Sequence, residues 1–282
     1  MAHVVGESGA WREIANDLGR RGMRVEKPSD ISPLLKHLRE TFQPSVNERK
    51  ADIAIRVADN EGRIKGLRAE TGLFRTTLNW LRVQGYKLAN AKLRREESRY
   101  IATLSSNIDT LEYMQVSSEL AGAQAEIEVI AQLTRLSNRH TVISGVVLHA
   151  KRHIQFNGST LQSAQIDHLV LSPSGIFVVE TKRWSKDFVA TGDYHDPFDQ
   201  VRRAAYLCYD LIKEVHGVVR VRSIIANAGH LPPLPRDSYV KVLPIVDLDM
   251  YISRFEKEEL NPDELSSLRH YFDQYISTYA SR

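Results

Sequence analysis

Acidic and basic side chains come together where two short runs of strand-forming residues are predicted to pair. The runs are residues 165–171 and 176–182, and the intervening 172–175 has Ser first, Pro second and Gly fourth. These are favoured positions in a type I turn between two strands. Pairing about the centre of this turn predicts an antiparallel hairpin in which Leu171 faces Ile176.

The same register places Asp167 opposite Glu180 and Gln165 opposite Lys182. Side chains alternate along a strand, so these four polar groups would share one face, unless a bulge at Gly175 shifts the register by one residue. Opposed carboxylates repel each other unless a cation lies between them, and their hard oxygen atoms suit Mg²⁺ or Mn²⁺. The pattern predicts a divalent metal at Asp167 and Glu180, with Lys182 orienting a water molecule or stabilising charge on a phosphate.

Near the turn, the predicted hairpin is apolar on both faces. One face carries Leu169, Leu171, Ile176 and Val178, and the other carries Val170, Phe177 and Val179. This pattern is typical of strands that are covered on both sides. The polar end has an alternative interpretation, in which Asp167, Glu180 and Lys182 form a salt-bridged patch on a solvated hairpin end, without a metal.

The order Asp167, then Glu180-Thr181-Lys182, resembles the core of the PD-(D/E)xK nuclease superfamily, and the fuller string 165–182 resembles the NERD (nuclease-related) domain. The resemblance covers about residues 118–250. It implies an α/β fold with a restriction-endonuclease-like mixed sheet flanked by helices. It also implies a metal-dependent phosphodiesterase in which the Thr181 carbonyl joins the two carboxylates as a ligand.

Two further residues follow from the same resemblance. NERD domains carry Gly-x-x-Gly-Glu on a helix before the first strand, and residues 122–126 match this except that Ala125 replaces the second glycine. Glu126 would then border the metal site, although an exposed helical glutamate is the alternative. Gln200 matches a glutamine at the start of a later helix and would support the attacking water; otherwise it is an ordinary polar residue at a helix start.

Contacts with nucleic acid are expected around these residues. Arg202 and Arg203 follow Gln200, and guanidinium groups bind phosphate oxygens two at a time. Trp184 lies in the loop after Lys182, where it would stack on a base or, with equal weight, pack inside the protein. Gln165, on the polar face of the hairpin, completes the predicted nucleic-acid contacts.

The first 116 residues are predicted to be helical. Short helices are expected at about 8–20 and 30–42, the second ending near Pro44, and a heptad seam from residue 53 to 88 alternates spacings of four and three. A second seam begins at Ile101, and its shifted phase predicts a stutter or a folding-back turn near 89–100. A helical seam of this length needs a partner, which favours oligomerisation. The alternatives are a self-packing hairpin and a basic arm that follows a phosphate backbone through Arg94, Arg95 and Arg99.

Composition limits the remaining possibilities. The 282 residues carry a net charge of +3 and a single cysteine, so an internal disulfide is excluded and a reducing compartment is favoured. No signal peptide, membrane span, zinc-ligand pattern, phosphate-binding loop or nucleophile elbow is visible. We therefore expect a cytoplasmic protein that does not contact a membrane.

Three segments are expected: an N-terminal helical segment at 1–46, a coiled-coil or helical-hairpin arm at 47–116, and a NERD-like nuclease domain at 117–282. The function expected is Mg²⁺- or Mn²⁺-dependent hydrolysis of nucleic acid, DNA rather than RNA, by a homo-oligomer assembled through the arm. The alternative is a non-catalytic, nuclease-like scaffold that binds nucleic acid or protein. RNA or a small nucleotide remains a further possible substrate.

Overall fold

A mixed β-sheet and a pair of long helices form two separate compact units of this protein. The structure, a computed structural model, describes residues 1–69, 73–191, 196–230, 237 and 239–276. One unit contains residues 1–20 and 117–282, and the other contains residues 21–116. The N-terminal 20 residues therefore pack with the sheet unit, whereas the expected segments divide the chain at 46/47 and 116/117.

The elements are numbered along the chain. They are β1 (His3–Val5), α1 (Gly9–Arg20), α2 (Ile31–Ala69), α3 (Leu73–Gln115), α4 (Ser118–Leu133), β2 (Thr141–Phe156), β3 (Ser159–Ser172), β4 (Gly175–Lys182), α5 (Lys186–Thr191), α6 (Pro197–His216), β5 (Val221–Asn227), β6 (Val240–Pro244), α7 (Leu248–Ser253) and α8 (Pro262–Ile276). Two 3₁₀ turns, Pro28–Asp30 and Ile245–Asp247, precede α2 and α7.

Among the described residues the sheet has six strands in the order β1-β2-β3-β4-β5-β6. The three strands β2, β3 and β4 pair antiparallel, while β1 joins β2, β5 joins β4 and β6 joins β5 in parallel. The α/β fold with a mixed sheet flanked by helices is therefore confirmed. The N-terminal strand β1 was not expected, because three residues carry too little pattern to predict a strand.

The predicted hairpin register is correct from the turn as far as His168, while the expected pairs of Asp167 with Glu180 and Gln165 with Lys182 lie beyond the observed ladder. Leu171 pairs with Ile176, and the ladder continues without a bulge to His168 and Val179. The apolar alternation divides the hairpin between two cores, as expected. One core holds Leu169, Leu171, Ile176 and Val178 beneath α6 and α8, and the other holds Val170, Phe177 and Val179 beneath α4 and α7.

The second unit is a helical hairpin in which α2 and α3 run antiparallel. Near the open end Arg39 contacts Glu112, and nearer the other end Asn60 donates a hydrogen bond to Asn90. The helix expected to end near Pro44 instead continues to Ala69. Leu35 and Val46 are buried on either side of the proline, so packing holds the helix together across the missing N–H.

The turn expected near residues 89–100 is also wrong, because α3 is continuous from Leu73 to Gln115. Asn79, Val83 and Leu93 are buried in this hairpin, whereas the stripe of Leu78, Leu81 and Leu88 is exposed. A hydrophobicity pattern selects the leucines and overlooks the asparagine, which donates to the Leu67 carbonyl. Within α3, the two predicted seams therefore lie on different faces of one continuous helix, and this difference appeared as a shift in phase.

No helix in the described ranges combines the length and the apolar character that a membrane-spanning helix requires.

Candidate active site

Asp167 lies where the hydrogen-bonded ladder between β3 and β4 ends. Beyond the last pair, His168 with Val179, the Asp167 carboxylate accepts a hydrogen bond from the Thr181 backbone N–H at 2.8 Å. The side chain thus replaces a strand carbonyl as the partner of that N–H. Because the N–H and C=O of one residue in a strand point to the same side, we infer that the Thr181 carbonyl also faces the Asp167 side.

Lys182 joins Glu180 to the first turn of α6. Its ammonium donates to Glu180 Oε1 at 2.7 Å and to Gln200 Oε1 at 2.8 Å. The side-chain oxygen of Asp196 caps α6 by accepting the Phe198 N–H, and this fixes the helix start that presents Gln200. Residues from β4 and α6 are therefore held in one hydrogen-bonded group.

Glu126 reaches the same end of the sheet from α4. The neighbouring Ala125 is fully buried, so the methyl group that replaces the expected glycine hydrogen fits within the core. The Glu126 Oε2 atom accepts a hydrogen bond from Ser8 Oγ at 2.8 Å, and the Ala10 N–H lies 3.4 Å from the same oxygen. The exposed-glutamate interpretation is excluded, since Glu126 is 8% exposed.

The carboxylates of this site are buried and close enough to repel each other. Burial first, and then the charges of Glu180 and Glu126, raise the pKa of Asp167 well above its usual range. Burial also raises the pKa of Glu180 against the opposing effect of Lys182, and it raises the pKa of Glu126 with a further contribution from Glu180. A cation bound here would reduce this repulsion.

The donor set suits a hard divalent cation through a small number of protein ligands. Within the described ranges, no three His, Cys, Asp or Glu side chains lie close enough to form a metal-binding group by themselves. Asp167, Glu180 and the Thr181 carbonyl would supply two carboxylates and one neutral oxygen, and Mg²⁺ commonly keeps several of its waters. One feature of the alternative, salt-bridged interpretation is observed: Lys182 forms an ion pair with Glu180.

The two arginines after Gln200 have different surroundings. Arg202 pairs with the buried carboxylate of Asp237, and its guanidinium lies over the ring of Phe198. Arg203 is 42% exposed and lies 3.9 Å from Asp199, a loose pair one helical turn away. Arg203 therefore has more freedom to bind a phosphate than Arg202.

Trp184 and Gln165 also differ in their surroundings. Trp184 is 8% exposed, and its backbone carbonyl accepts the His230 N–H at 2.9 Å, so its burial favours the packing role over stacking on a base. Gln165 is exposed on β3, opposite Val147 of β2, and lines a small pocket with Gly9 and residues of α1.

Sequence reasoning missed the part of the site that comes from the N-terminus. Ser8 precedes α1 and accepts the Trp11 N–H at 3.0 Å, which is an ordinary helix-capping arrangement. A serine before a helix signals a cap, and that signal was available. It does not reveal a partner 118 positions away, so the contact with Glu126 is visible only in the fold.

Comparison with known proteins agrees with the family resemblance seen in residues 165–182. The model of the nuclease-related domain (NERD) matches residues 121–227, which include Glu126, Asp167, Glu180, Lys182 and Gln200. No curated protein matches the chain. The matched range begins in α4 and ends with β5, so it excludes the helical unit and β1 with α1. Residues 121–227 are therefore similar to the nuclease-related domain.

Proposed function

We propose that this protein is a metal-dependent phosphodiesterase that hydrolyses nucleic acid, DNA rather than RNA. The observation that carries the proposal is the hydrogen-bonded set at the polar end of the β3–β4 hairpin. There Asp167 and Glu180 are buried together, and Lys182 connects Glu180 to Gln200. Asp167, Glu180 and the Thr181 carbonyl would hold Mg²⁺ or Mn²⁺, and the bound metal would activate a water and offset charge on the phosphate.

Lys182 and Gln200 have unused donors for the reaction. A lysine ammonium has three N–H groups, and two of them are used by Glu180 and Gln200. The third can orient a water towards the phosphorus. The Gln200 carbonyl oxygen accepts from Lys182, which leaves its amide NH₂ to donate to that water or to a phosphate oxygen. Arg203 would bind a neighbouring phosphate.

The test is cleavage of linear, circular and single-stranded DNA and of RNA, each with Mg²⁺, Mn²⁺ or EDTA. The Lys182→Ala variant is compared with Lys257→Ala, which removes an exposed lysine elsewhere in the same unit. We expect metal-dependent cleavage that is lost in Lys182→Ala and kept in Lys257→Ala. Equal activity in the two variants would contradict the assignment, and cleavage of circular DNA would show that free ends are not needed.

A non-catalytic scaffold is the second candidate. It is favoured by the absence, within the described ranges, of a group of three metal-binding side chains. In this case the nuclease-related domain binds nucleic acid or protein without cleaving it. Tight binding to DNA with no turnover in any metal would support the scaffold and contradict the nuclease.

We also propose that the helical unit forms a homo-oligomer in the cytoplasm. The stripe of Leu78, Leu81 and Leu88 on α3 is 57%, 58% and 71% exposed, although its heptad spacing is typical of a helix contact. Replacing Leu81 with Lys should lower the mass measured by light scattering after gel filtration. An unchanged mass, or a monomeric wild-type protein, would contradict this contact.

A further inference from the structure

The N-terminal segment from β1 to α1 is fitted closely to the strand that lies beside Asp167. β1 pairs in parallel with β2, with Val5 opposite Ile143, and α1 buries Trp11 and Ile14 in the same unit. The chain crosses from β1 to α1 directly over Gly145 of β2.

Gly145 and Gly6 make this close approach possible. A Cβ atom at Gly145 would lie 2.6 Å from the Arg12 guanidinium and 3.0 Å from the Glu7 carbonyl oxygen, and the φ angle of Gly145 is +67°. A Cβ atom at Gly6 would lie 2.4 Å from the Ser144 carbonyl oxygen. The 2.4 Å approach to backbone excludes a side chain at Gly6, and the positive φ angle of Gly145 favours glycine there as well.

Gly145 lies beside the catalytic aspartate of the proposed site. The pairs Ser144 with His168 and Val146 with Ile166 bracket Gly145 on β2 and Asp167 on β3. The N-terminal segment therefore reaches the sheet at the position of Asp167. There its first helical turn meets Glu126 of α4.

Ser8 connects the start of α1 to Glu126 of α4. It is 1% exposed, its hydroxyl donates to Glu126 Oε2 at 2.8 Å, and the same hydroxyl oxygen accepts the Trp11 N–H at 3.0 Å. The Ala10 N–H also points to Glu126 Oε2, at 3.4 Å. A carboxylate is stabilised at the N-terminus of a helix, where free N–H groups and the helix dipole favour negative charge.

From these contacts we propose that Ser8 is a positioning residue for the nuclease site: it fixes the Glu126 carboxylate at the end of the sheet that holds Asp167 and Glu180. The inference rests on the function proposed above and adds a residue far outside the matched range 121–227. With Oε2 held by Ser8 and the first turn of α1, Glu126 keeps one orientation. Without Ser8 the carboxylate can rotate, and displacements of about 1 Å in an active site can cost about 100-fold in rate.

The experiment separates positioning from capping. Ser8→Ala removes both the contact with Glu126 and the cap of α1. Ser117→Ala removes an equivalent cap, since Ser117 Oγ accepts the Leu120 N–H at the start of α4, but it touches no carboxylate. Ser8→Thr keeps a hydroxyl that can both cap and donate. The measurements are kcat, KM for DNA, and the midpoint of thermal unfolding of the full chain.

We expect Ser8→Ala to lower kcat about tenfold or more with little change in KM, and Ser8→Thr to recover most of kcat. Ser117→Ala should lower the unfolding midpoint by about 2–4 °C, as loss of a cap does, while kcat is kept. In a Glu126→Gln background, Ser8→Ala should cause no additional loss of kcat, because residues that act as one unit are not additive.

Two results would overturn the inference alone. They are equal kcat values in Ser8→Ala and Ser117→Ala, or a full additional loss when Ser8→Ala is combined with Glu126→Gln. A wild-type protein that cleaves no nucleic acid in any metal would contradict the proposed function and this inference with it. The two failures are therefore distinguishable from the behaviour of the wild-type chain.

Discussion

The two ends of the β3–β4 hairpin belong to the same strands but affect the stability of the fold in opposite directions. Near the turn Leu171, Ile176 and Phe177 are fully buried and apolar, and they stabilise the fold. At the other end Asp167 and Glu180 are 9% and 3% exposed, and burial raises the pKa of each, so their charges destabilise the metal-free protein. One end of the hairpin therefore contributes stability, whereas the end with the candidate site costs stability in the absence of a metal.

The largest effect on stability is expected at the apolar end. Phe177→Ala should lower the free energy of unfolding by about 3–5 kcal/mol, because it leaves a cavity beside Phe255, whose ring centroid is 5.5 Å away. Phe188→Ala, at a 41% exposed phenylalanine of the same unit, is the matched control. Chemical unfolding measures both, and similar losses in the two variants would contradict the assigned core.

At the polar end we expect a substitution to raise stability instead of lowering it. Asp167→Asn removes a buried charge beside Glu180 and keeps an oxygen that can accept the Thr181 N–H. Since the folded-state pKa of Asp167 is raised, its ionised form disfavours folding at neutral pH. In EDTA we therefore expect the unfolding midpoint of Asp167→Asn to lie above that of the wild-type protein.

The control for that variant is Asp187→Asn, at an exposed aspartate in α5. It should change stability by less than about 0.5 kcal/mol, as most surface substitutions do. A lower midpoint for Asp167→Asn than for the control would show that the buried carboxylate stabilises the metal-free fold, which contradicts the comparison.

Added metal should offset the loss of stability at the polar end of the hairpin. A ligand that binds only the folded protein raises stability according to its concentration and affinity. Mg²⁺ should therefore raise the unfolding midpoint of the wild-type protein and leave that of Asp167→Asn nearly unchanged. Differential scanning fluorimetry with and without Mg²⁺ measures this, and equal shifts in both proteins would place the metal elsewhere.

The last prediction concerns the pH dependence at His168, next to Asp167. Burial lowers the pKa of His168 to about 3, and its Nδ1 atom lies 3.0 Å from Ser144 Oγ. Between about pH 6.5 and 3 the unfolded chain binds a proton that the folded chain excludes. His168 therefore costs no stability above about pH 6.5, and below that pH it lowers the free energy of unfolding by about 1.4 kcal/mol per pH unit.

His168→Gln should flatten the unfolding free energy between pH 6 and 4 relative to the wild-type protein, whereas His270→Gln, at a histidine whose side chain is 93% exposed, should not. Parallel curves for the wild-type protein and His168→Gln would mean that His168 is protonated in the folded state.

The hairpin was predictable from sequence because its information is local. The turn at 172–175 and the alternation around it set the register, and that register brings Asp167 to the end of the ladder. Gln200 followed from resemblance alone, and the structure joins it to Lys182. In both cases the residues lie within one short segment or one recognisable pattern.

Elsewhere the decisive contacts are polar or distant in sequence. The packing of α2 on α3 uses Asn60 and Asn90, which a search for apolar residues passes over. Ser8 holds the Glu126 carboxylate, but the sequence around Ser8 predicts only a helix cap. Such contacts depend on how the chain returns to the sheet, and single-sequence patterns do not contain that information.

The most direct test of the central claim is the rate of DNA cleavage by the wild-type protein and by Asp167→Asn, each with Mg²⁺ and with EDTA. The account predicts cleavage by the wild-type protein only with the metal. Asp167→Asn, although folded and at least as stable, should cleave DNA far more slowly, because a ligand of the metal that would activate the water is lost. Cleavage by Asp167→Asn at the wild-type rate, or cleavage by the wild-type protein in EDTA, would contradict it.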